Sequence, residues 1–263
     1  KRRLDSQSSS EPGRWHTARA EYQRGIMDAC SNQNIREVVV MAGAQLGKSE
    51  ALLNIIGYHI DNDPSPILCL QPTLEMAQAF SKDRVANGLL KSTVCLRGKV
   101  KDPRARDSGN TTLHKLFPGG SLTLVGANSP SGLASRPIRL VLCDEVDRYP
   151  ASAGSEGDPI QLARKRAATF WNRKVVMVST PTNKDASRIE EAFEASDMRY
   201  YNVPCKHCHH EQKLKWSNVQ WTDDDPDTAK YLCDGCDTLW SDSDRRWAIR
   251  NGTWKAEKEF KGI

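Results

Sequence analysis

The sequence lacks the features of a membrane or secreted protein. None of its apolar runs approaches the ~20 residues that a helix needs to cross a bilayer, and no signal peptide opens the chain. The eight cysteines do not make the dense pattern of a disulfide-stapled secreted domain. We therefore expect a protein of a reducing compartment with no membrane partner.

The sequence also has little excess of charge of one sign. The 263 residues carry a formal net charge of only +5, which permits a nucleic-acid partner without arguing for one. The length accommodates one α/β domain with a good core and a small appendage. Four scattered cysteines are expected to be buried as small hydrophobic residues: Cys30, Cys69, Cys95 and Cys143.

Composition divides the chain into four segments. Residues 1–12 are polar and serine-rich, and we expect a flexible arm. In residues 13–203, short apolar β runs alternate with helical patterns, which indicates a mostly parallel sheet with helices on both faces. Residues 204–240, rich in Cys, His, Asp and Trp, are predicted to form a separate small module. Residues 241–263 are predicted to be a tail that leads to a further domain.

A phosphate-binding loop pattern lies at Ala42-Gly-Ala-Gln-Leu-Gly-Lys-Ser49, between an apolar strand and an amphipathic helix. Alanine replaces the usual first glycine. In such loops the backbone N–H groups cradle phosphates, the lysine reaches the β and γ phosphates, and the hydroxyl ligates Mg²⁺. The predicted ATP site consists of Ala42, Gly43, Ala44, Gln45, Leu46, Gly47, Lys48 and Ser49.

A second motif, Arg139-Leu-Val-Leu-Cys-Asp144-Glu145, follows about a hundred residues later. An apolar strand that delivers two acids at its carboxyl end is the Walker B pattern. Asp144 is predicted to hold Mg²⁺ and Glu145 to act on the attacking water as general base. The alternative is an acidic helix cap after a strand.

Two weaker signals extend this site. The strand that begins at Val175 ends in Ser179 and Thr180, which suits a position that couples γ-phosphate loss to movement; a simple Thr-Pro turn is the alternative. Upstream, the amide of Gln23 can offer adenine a donor and an acceptor, and Tyr22 could stack on the base. The alternative there is an exposed helix face.

Phosphoryl transfer also needs positive charge on the transition state, often from an arginine. The loop holds none, since Ala44 and Gln45 occupy its variable positions. Arg136, in a Gly/Ser-rich stretch before the Walker B strand, is our hypothesis for this role. Three other arginines compete with it: Arg104, Arg106 and Arg148.

Two Cys-x-x-Cys pairs are separated by 24 residues. Four thiolates in this arrangement predict a closed tetrahedral site for structural Zn²⁺, with a histidine ligand or redox-active pairs as alternatives. The predicted ligands are Cys205, Cys208, Cys233 and Cys236. Three tryptophans of the module are expected to pack inside it: Trp216, Trp221 and Trp240.

Taken together, these motifs resemble the large subunit of phage DNA-packaging terminase, of the lambda-type A-protein family. The similarity covers nearly the whole chain. It rests on Pro12–Trp15 with Tyr22–Asp28, on Ala44–Ser49, on Cys143–Arg148, on Ser179–Thr182 and on the cysteine pairs.

This resemblance implies an ASCE/RecA-like P-loop fold with a zinc-ribbon-like module. It also implies an ATPase that moves double-stranded DNA into a procapsid, as a homo-oligomeric ring docked on the portal, in the cytoplasm of the infected bacterial host. A small terminase subunit is an implied partner. The acidic cluster of the family's nuclease does not follow the cysteine pairs, so we expect the ATPase part and no nuclease activity.

Two other classes of protein stay open. A helicase or remodelling ATPase has the same core motifs, but it needs a second RecA-like domain that 263 residues do not contain. A zinc-containing DNA-binding protein could keep the nucleotide site for regulation only. The intact set of Lys48, Asp144 and Glu145 argues against that reading.

Overall fold

A computed structural model describes residues 2–4, 6, 9, 11–105, 108–129, 132, 137–183 and 186–259. The chain divides into two units by its internal contacts. The first holds Lys1–Trp15 and Met27–Phe193, and the second holds His16–Ile26 and Glu194–Ile263. This division differs from the predicted boundaries, because residues on both sides of 204–240 join the second unit.

Short apolar runs form the strands and amphipathic runs the helices. In chain order the elements up to Phe193 are β1 (Arg3–Leu4), β2 (Gly13–Arg14), α1 (Tyr22–Ser31), β3 (Glu37–Met41), α2 (Lys48–Asp61), β4 (Pro66–Gln71), α3 (Leu74–Ala79), β5 (His114–Phe117), β6 (Gly120–Gly126), β7 (Leu140–Asp144), α4 (Pro159–Ala167), β8 (Lys174–Ser179) and α5 (Arg188–Glu194).

The first unit is built on a six-stranded sheet in the order β3-β8-β7-β4-β6-β5. Neighbouring strands are parallel except β5, which pairs antiparallel with β6 in a hairpin. The carboxyl ends of the parallel strands therefore share one edge of the sheet, where such folds bind ligands. The register pairs Met41 with Ser179 and Asp144 with Val178, so the ends of β3, β8 and β7 are level.

Both faces of this sheet are covered, as predicted. Helices α4 and α5 pack on the face that carries Val141, Cys143 and Val175. The alternate residues of the same strands, Leu142 and Val176, are also fully buried. Successive side chains of a strand point to opposite faces, so neither face is left to solvent.

The helical segment over residues 74–91 changes its winding. It is α-helical over Leu74–Ala79 and continues as a π-helix over Phe80–Lys91. The buried residues Phe80, Val85 and Leu89 recur every four to five positions, and the wider π turn keeps them on one face.

The second unit contains two three-stranded antiparallel sheets, β10-β9-β14 and β11-β12-β13. Its elements are β9 (Tyr200–Pro204), β10 (Glu211–Lys213), β11 (Val219–Thr222), β12 (Asp225–Leu232), β13 (Leu239–Trp240), α6 (Asp242–Arg250) and β14 (Thr253–Lys255). Because β14 pairs with β9, much of the predicted tail is an integral part of this unit.

Two expectations about buried side chains need correction. Trp240 is 2% exposed and packs in the core as predicted, but Trp216 and Trp221 are 78% and 48% exposed. Their ring centroids lie 6.2 Å apart on the surface of the unit. Trp216 begins a 3-10 turn, and Trp221 lies in the mostly exposed strand β11. Likewise Cys30, Cys69 and Cys143 are buried, whereas Cys95 is exposed in the turns after the π-helix.

Within the part of the chain that is described, no helix is long and apolar enough to span a membrane.

Candidate functional site

The loop between β3 and α2 is shaped by positive backbone φ angles. Gln45 has φ 59° and Gly47 has φ 78°, a conformation that glycine adopts at no steric cost. Gly47 immediately precedes α2, so the helix begins at Lys48 with Ser49 as its second residue. The N–H groups and the positive end of the helix dipole thus meet the loop, which makes the N-terminus of α2 suited to phosphate.

Lys48 joins three predicted parts of the site. Its ammonium donates to Ala42 O at 3.2 Å, to Gly43 O at 2.9 Å and to Thr180 Oγ1 at 2.7 Å. The same Nζ lies 4.0 Å from Glu145 Oε1. Lys48 is only 8% exposed, so these interactions are little screened by water. The structure therefore brings together residues that come from four separate elements.

Asp144 ends β7 as a carboxylate that is 3% exposed. Its Oδ2 accepts a hydrogen bond from Gln71 Nε2 at 3.1 Å, and its buried Oδ1 has no partner among the described residues. Burial raises the pKa of Asp144 to about 6, and nearby Glu145 adds to the rise, while the Gln71 bond and Lys48 oppose it. A buried carboxylate oxygen without a donor is a fitting ligand for a hard cation such as Mg²⁺.

Glu145 adopts the left-handed conformation, with φ 53° and ψ 53°. This is unfavourable for a residue other than glycine and is often retained at functional sites. It starts the 3-10 turn Val146–Arg148 and leaves the carboxylate 23% exposed. Glu145 Oε2 lies 4.0 Å from Arg148 Nε. Its carboxylate is thus beside Lys48 and within reach of water, as the predicted general base requires.

Sequence reasoning missed two polar residues here. Gln71, at the end of β4, orients Asp144, and it could have been found as a buried polar residue that ends an apolar strand. Asp147 accepts from the Thr182 N–H at 3.0 Å and from the Ile189 N–H at 2.9 Å, and its own N–H donates to Ser179 Oγ at 3.3 Å. Asp147 therefore ties the acid-bearing turn to the chain between β8 and α5.

The structure does not test the other predicted nucleotide contacts. Tyr22 and Gln23 belong to the second unit, where the Tyr22 ring lies edge-on to Tyr201, 5.9 Å between centroids, and Gln23 is buried. Their contact with adenine stays a prediction. Arg136 and the competing Arg106 lie outside the described residues.

The second unit brings the four paired cysteines together. All their Sγ atoms lie within 4.8 Å of one another, with Cys205 and Cys236 3.9 Å apart and Cys208 and Cys233 3.8 Å apart. These distances are far too long for disulfides. They match the ~3.8 Å that four thiolates adopt around a tetrahedral Zn²⁺ with Zn–S bonds of about 2.3 Å.

The two knuckles repeat the same backbone geometry. The His207 N–H donates to Cys205 Sγ at 3.4 Å, and the Gly235 N–H donates to Cys233 Sγ at 3.3 Å. Such bonds stabilise a thiolate and fix its direction. In the second knuckle Gln212 Nε2 adds a further donor to Cys233 Sγ at 3.4 Å. The donor set and its surroundings therefore fit a structural metal ion.

Residues 9–254 match the family model described as "Phage terminase large subunit gpA, ATPase domain". The chain belongs to this terminase ATPase family. The match covers the P-loop, the acidic strand and the cysteine cluster, so the resemblance predicted from the motifs is confirmed. Membership of the terminase family also decides against the helicase and binding-protein alternatives.

Two curated relatives are terminase large subunits. The protein of Enterobacteria phage P21 is 30% identical over 265 residues, which cover 95% of this chain and 41% of that protein. The protein of Escherichia phage lambda is 29% identical over 239 residues, which cover 88% of this chain and 37% of that protein. The chain therefore spans about two fifths of the length of these relatives.

A solved structure, the large terminase ATPase domain of Thermus phage P74-26, shares 18% identity with a TM-score of 0.47 over 72% of this chain and 76% of that one. A similarity of this size is too low to carry an argument.

The burial of Asp144 predicts a pH-dependent stability effect of Asp144→Asn in metal-free protein. A folded-state pKa near 6, above the ordinary 3.8, means that ionisation of Asp144 opposes folding. Below pH 4 the carboxyl is protonated in both the folded and the unfolded state, so it does not lower the free energy of unfolding. As the pH rises from 4 through 6, the unfolded chain loses its proton first and the free energy of unfolding falls by the full amount. At pH 7.5 the variant should be more stable by up to about 3 kcal/mol, and the two proteins should converge at pH 4.

Urea unfolding at the two pH values measures this difference. Asp83→Asn, at an exposed position, is the control and should change stability little at either pH. A destabilised Asp144→Asn protein at pH 7.5 would show that the buried carboxylate has a donor that stabilises its charge.

Proposed function

We propose that this chain is the ATPase motor domain of a terminase large subunit, which hydrolyses ATP to drive double-stranded DNA into a procapsid. The observation that carries the proposal is the position of the Lys48 ammonium. It bonds the phosphate loop and Thr180 and lies 4.0 Å from the Glu145 carboxylate. The ammonium of Lys48, the proposed base Glu145 and the proposed coupling hydroxyl of Thr180 therefore lie beside one another.

In the proposed reaction, water attacks the γ-phosphorus of ATP and the bond to the bridging oxygen of ADP breaks. Glu145 takes the proton of the attacking water at a carboxylate oxygen. Lys48 and the N–H groups of residues 42–49 stabilise the phosphate charge. Ser49 and Asp144 would hold Mg²⁺, which neutralises further charge on the transferring group.

Coupling to DNA movement would run through the end of β8. Thr180 contacts the same ammonium that binds phosphates, so a change in the partners of Lys48 changes those of Thr180. The next residues are tied through Asp147 to the start of α5. This chain of bonds supports the predicted coupling role of Ser179 and Thr180.

The proposed partners follow from the function of the whole terminase. They are double-stranded DNA, a small terminase subunit, the portal of the procapsid and further copies of this chain in a ring, within the cytoplasm of the infected bacterium. For the domains we retain residues 13–203 as the P-loop ATPase domain, preceded by the arm at residues 1–12. The module at 204–240 follows it, and the segment at 241–263 begins with α6 and β14, which extend that module.

Glu145→Gln tests the hydrolytic role directly. The amide cannot take a proton from water, so turnover should fall by about 10²–10⁴-fold while ATP binding is kept. The measurement is phosphate release by the full-length protein with portal-bearing procapsids and linear DNA, alongside binding of a fluorescent ATP analogue.

The matched control is Glu156→Gln, an exposed acid outside the site, which should leave turnover unchanged. Wild-type turnover in the Glu145→Gln assembly would exclude Glu145 as the base.

The arginine that stabilises the transition state is proposed to be Arg136, with Arg148 as its competitor because Arg148 Nε lies 4.0 Å from Glu145 Oε2. Loss of such an arginine lowers turnover by ~10³-fold or more. We therefore expect Arg136→Ala to abolish turnover of the assembled protein and Arg148→Ala to reduce it less. The exposed Arg250, which is not a candidate for this role, supplies the control variant. Full turnover by the Arg136→Ala assembly would sink the Arg136 hypothesis.

We also propose that the second unit is a zinc-ribbon-like module held by Cys205, Cys208, Cys233 and Cys236. Freshly purified protein should contain one zinc per chain by mass spectrometry of the metal. Cys208→Ser or Cys236→Ser should lower this content and the thermal stability, because folding of small metal-held modules depends on the ion.

Cys95→Ser is the matched control, since Cys95 is an exposed thiol outside the cluster. It should keep both the metal and the stability. Zinc-free wild-type protein with unchanged stability would overturn the assignment of a zinc module.

A further inference from the structure

The amino edge of the first unit's sheet carries a strongly basic segment. Residues 164–174 read Arg-Lys-Arg-Ala-Ala-Thr-Phe-Trp-Asn-Arg-Lys, with five cations and no acid. The segment runs from the last turns of α4 into the first residue of β8. Lys48 and Asp144 lie at the opposite edge, about 20 Å away along a six-residue strand. The basic segment therefore does not belong to the nucleotide site.

Two of these cations have a structural role. Lys174 is buried and donates to Ala29 O at 3.1 Å, to Asn32 O at 2.6 Å and to Ile35 O, so it caps the carbonyl end of α1. Arg164 pairs with Glu37, which neutralises the acid at the start of β3. These contacts explain the presence of Lys174 and Arg164. They do not explain the other cations of the segment.

The remaining side chains form a surface that we name the amino-edge patch: Arg36, Lys165, Trp171 and Arg173. Its three cations make no ion pair with any described residue. Arg36 joins the patch because its carbonyl accepts the Val175 N–H at 2.8 Å, which places it beside the start of β8. Trp171 is 71% exposed.

The chemistry of the amino-edge patch fits a polyanion. Three cations that make no ion pair with a described acid favour a ligand with several phosphates, and the guanidinium fork matches the two free oxygens of a phosphodiester. The exposed indole offers a flat apolar surface to a sugar. A protein partner would need several carboxylates at the same spacing, whereas a DNA backbone supplies a negative charge at every step.

We propose that the amino-edge patch contacts the phosphodiester backbone of double-stranded DNA. The proposal rests on the packaging function proposed above, and it names the face of the ATPase unit that meets the DNA. Nucleotide and DNA then occupy opposite edges of the same sheet. Strand β8 begins at Lys174 and ends at Ser179, immediately before Thr180, so it runs directly between the two edges.

The test compares two double variants of the full chain. In the first, Lys165→Gln and Arg173→Gln remove patch cations; in the control, Lys82→Gln and Lys101→Gln remove exposed cations elsewhere. Binding to a fluorescein-labelled duplex of about 30 base pairs is followed by anisotropy at several salt concentrations. The patch variant should bind at least about tenfold more weakly at low salt, and its log K against log [salt] slope should shrink by about 2.

Two further readouts make the outcomes distinct. Trp171→Ala should weaken binding without changing the slope, because an indole releases no counterion. ATP turnover measured without DNA and the unfolding midpoint should be unchanged in all these variants. If wild-type protein binds the duplex and the patch variant has the same slope and affinity, the patch proposal is overturned and the packaging function stands.

Failure of the wild-type protein to bind any duplex would overturn the DNA part of the proposed function together with the patch. If the patch variant binds DNA normally but no longer binds procapsids, the surface serves a protein partner and the proposal is also overturned.

Discussion

The position of one ammonium group organises the nucleotide edge of this protein. Lys48 Nζ bonds Ala42 O, Gly43 O and Thr180 Oγ1 and lies 4.0 Å from Glu145 Oε1. It can do so because β8 lies between β3 and β7, which brings the ends of three strands level. A charge held in so little solvent acts strongly on its neighbours. The geometry of the loop, of the proposed base Glu145 and of the proposed coupling residue Thr180 therefore depends on this single group.

Burial of the Asp144 carboxylate lowers the stability of the folded protein. A carboxylate that is 3% exposed with one unpartnered oxygen is unfavourable in a folded core, and its pKa rises to about 6 for that reason. A bound cation would reverse this penalty. Carboxyl groups whose pKa is raised by burial in this way are common at functional sites.

The second unit has a small core, in which two cysteines, Cys205 and Cys233, lie beside Trp240. A small core leaves little apolar burial to offset chain entropy, so a metal ion held by the four gathered thiol groups, as we propose, would add to the stability of the unit. Exposed Trp216 and Trp221 show that this unit does not bury all of its aromatic surface.

The sequence by itself determined the local patterns. Each of these signals lies within a few neighbouring positions: the loop motif that reaches Lys48, the apolar runs that end in Asp144 and Ser179, and the paired cysteines. Only the tertiary structure decided that β8 separates β3 from β7, that Gln71 and Asp147 support the acids, and that β14 pairs with β9. Strand order and long-range hydrogen bonds arise from pairing between distant segments, which no local periodicity records.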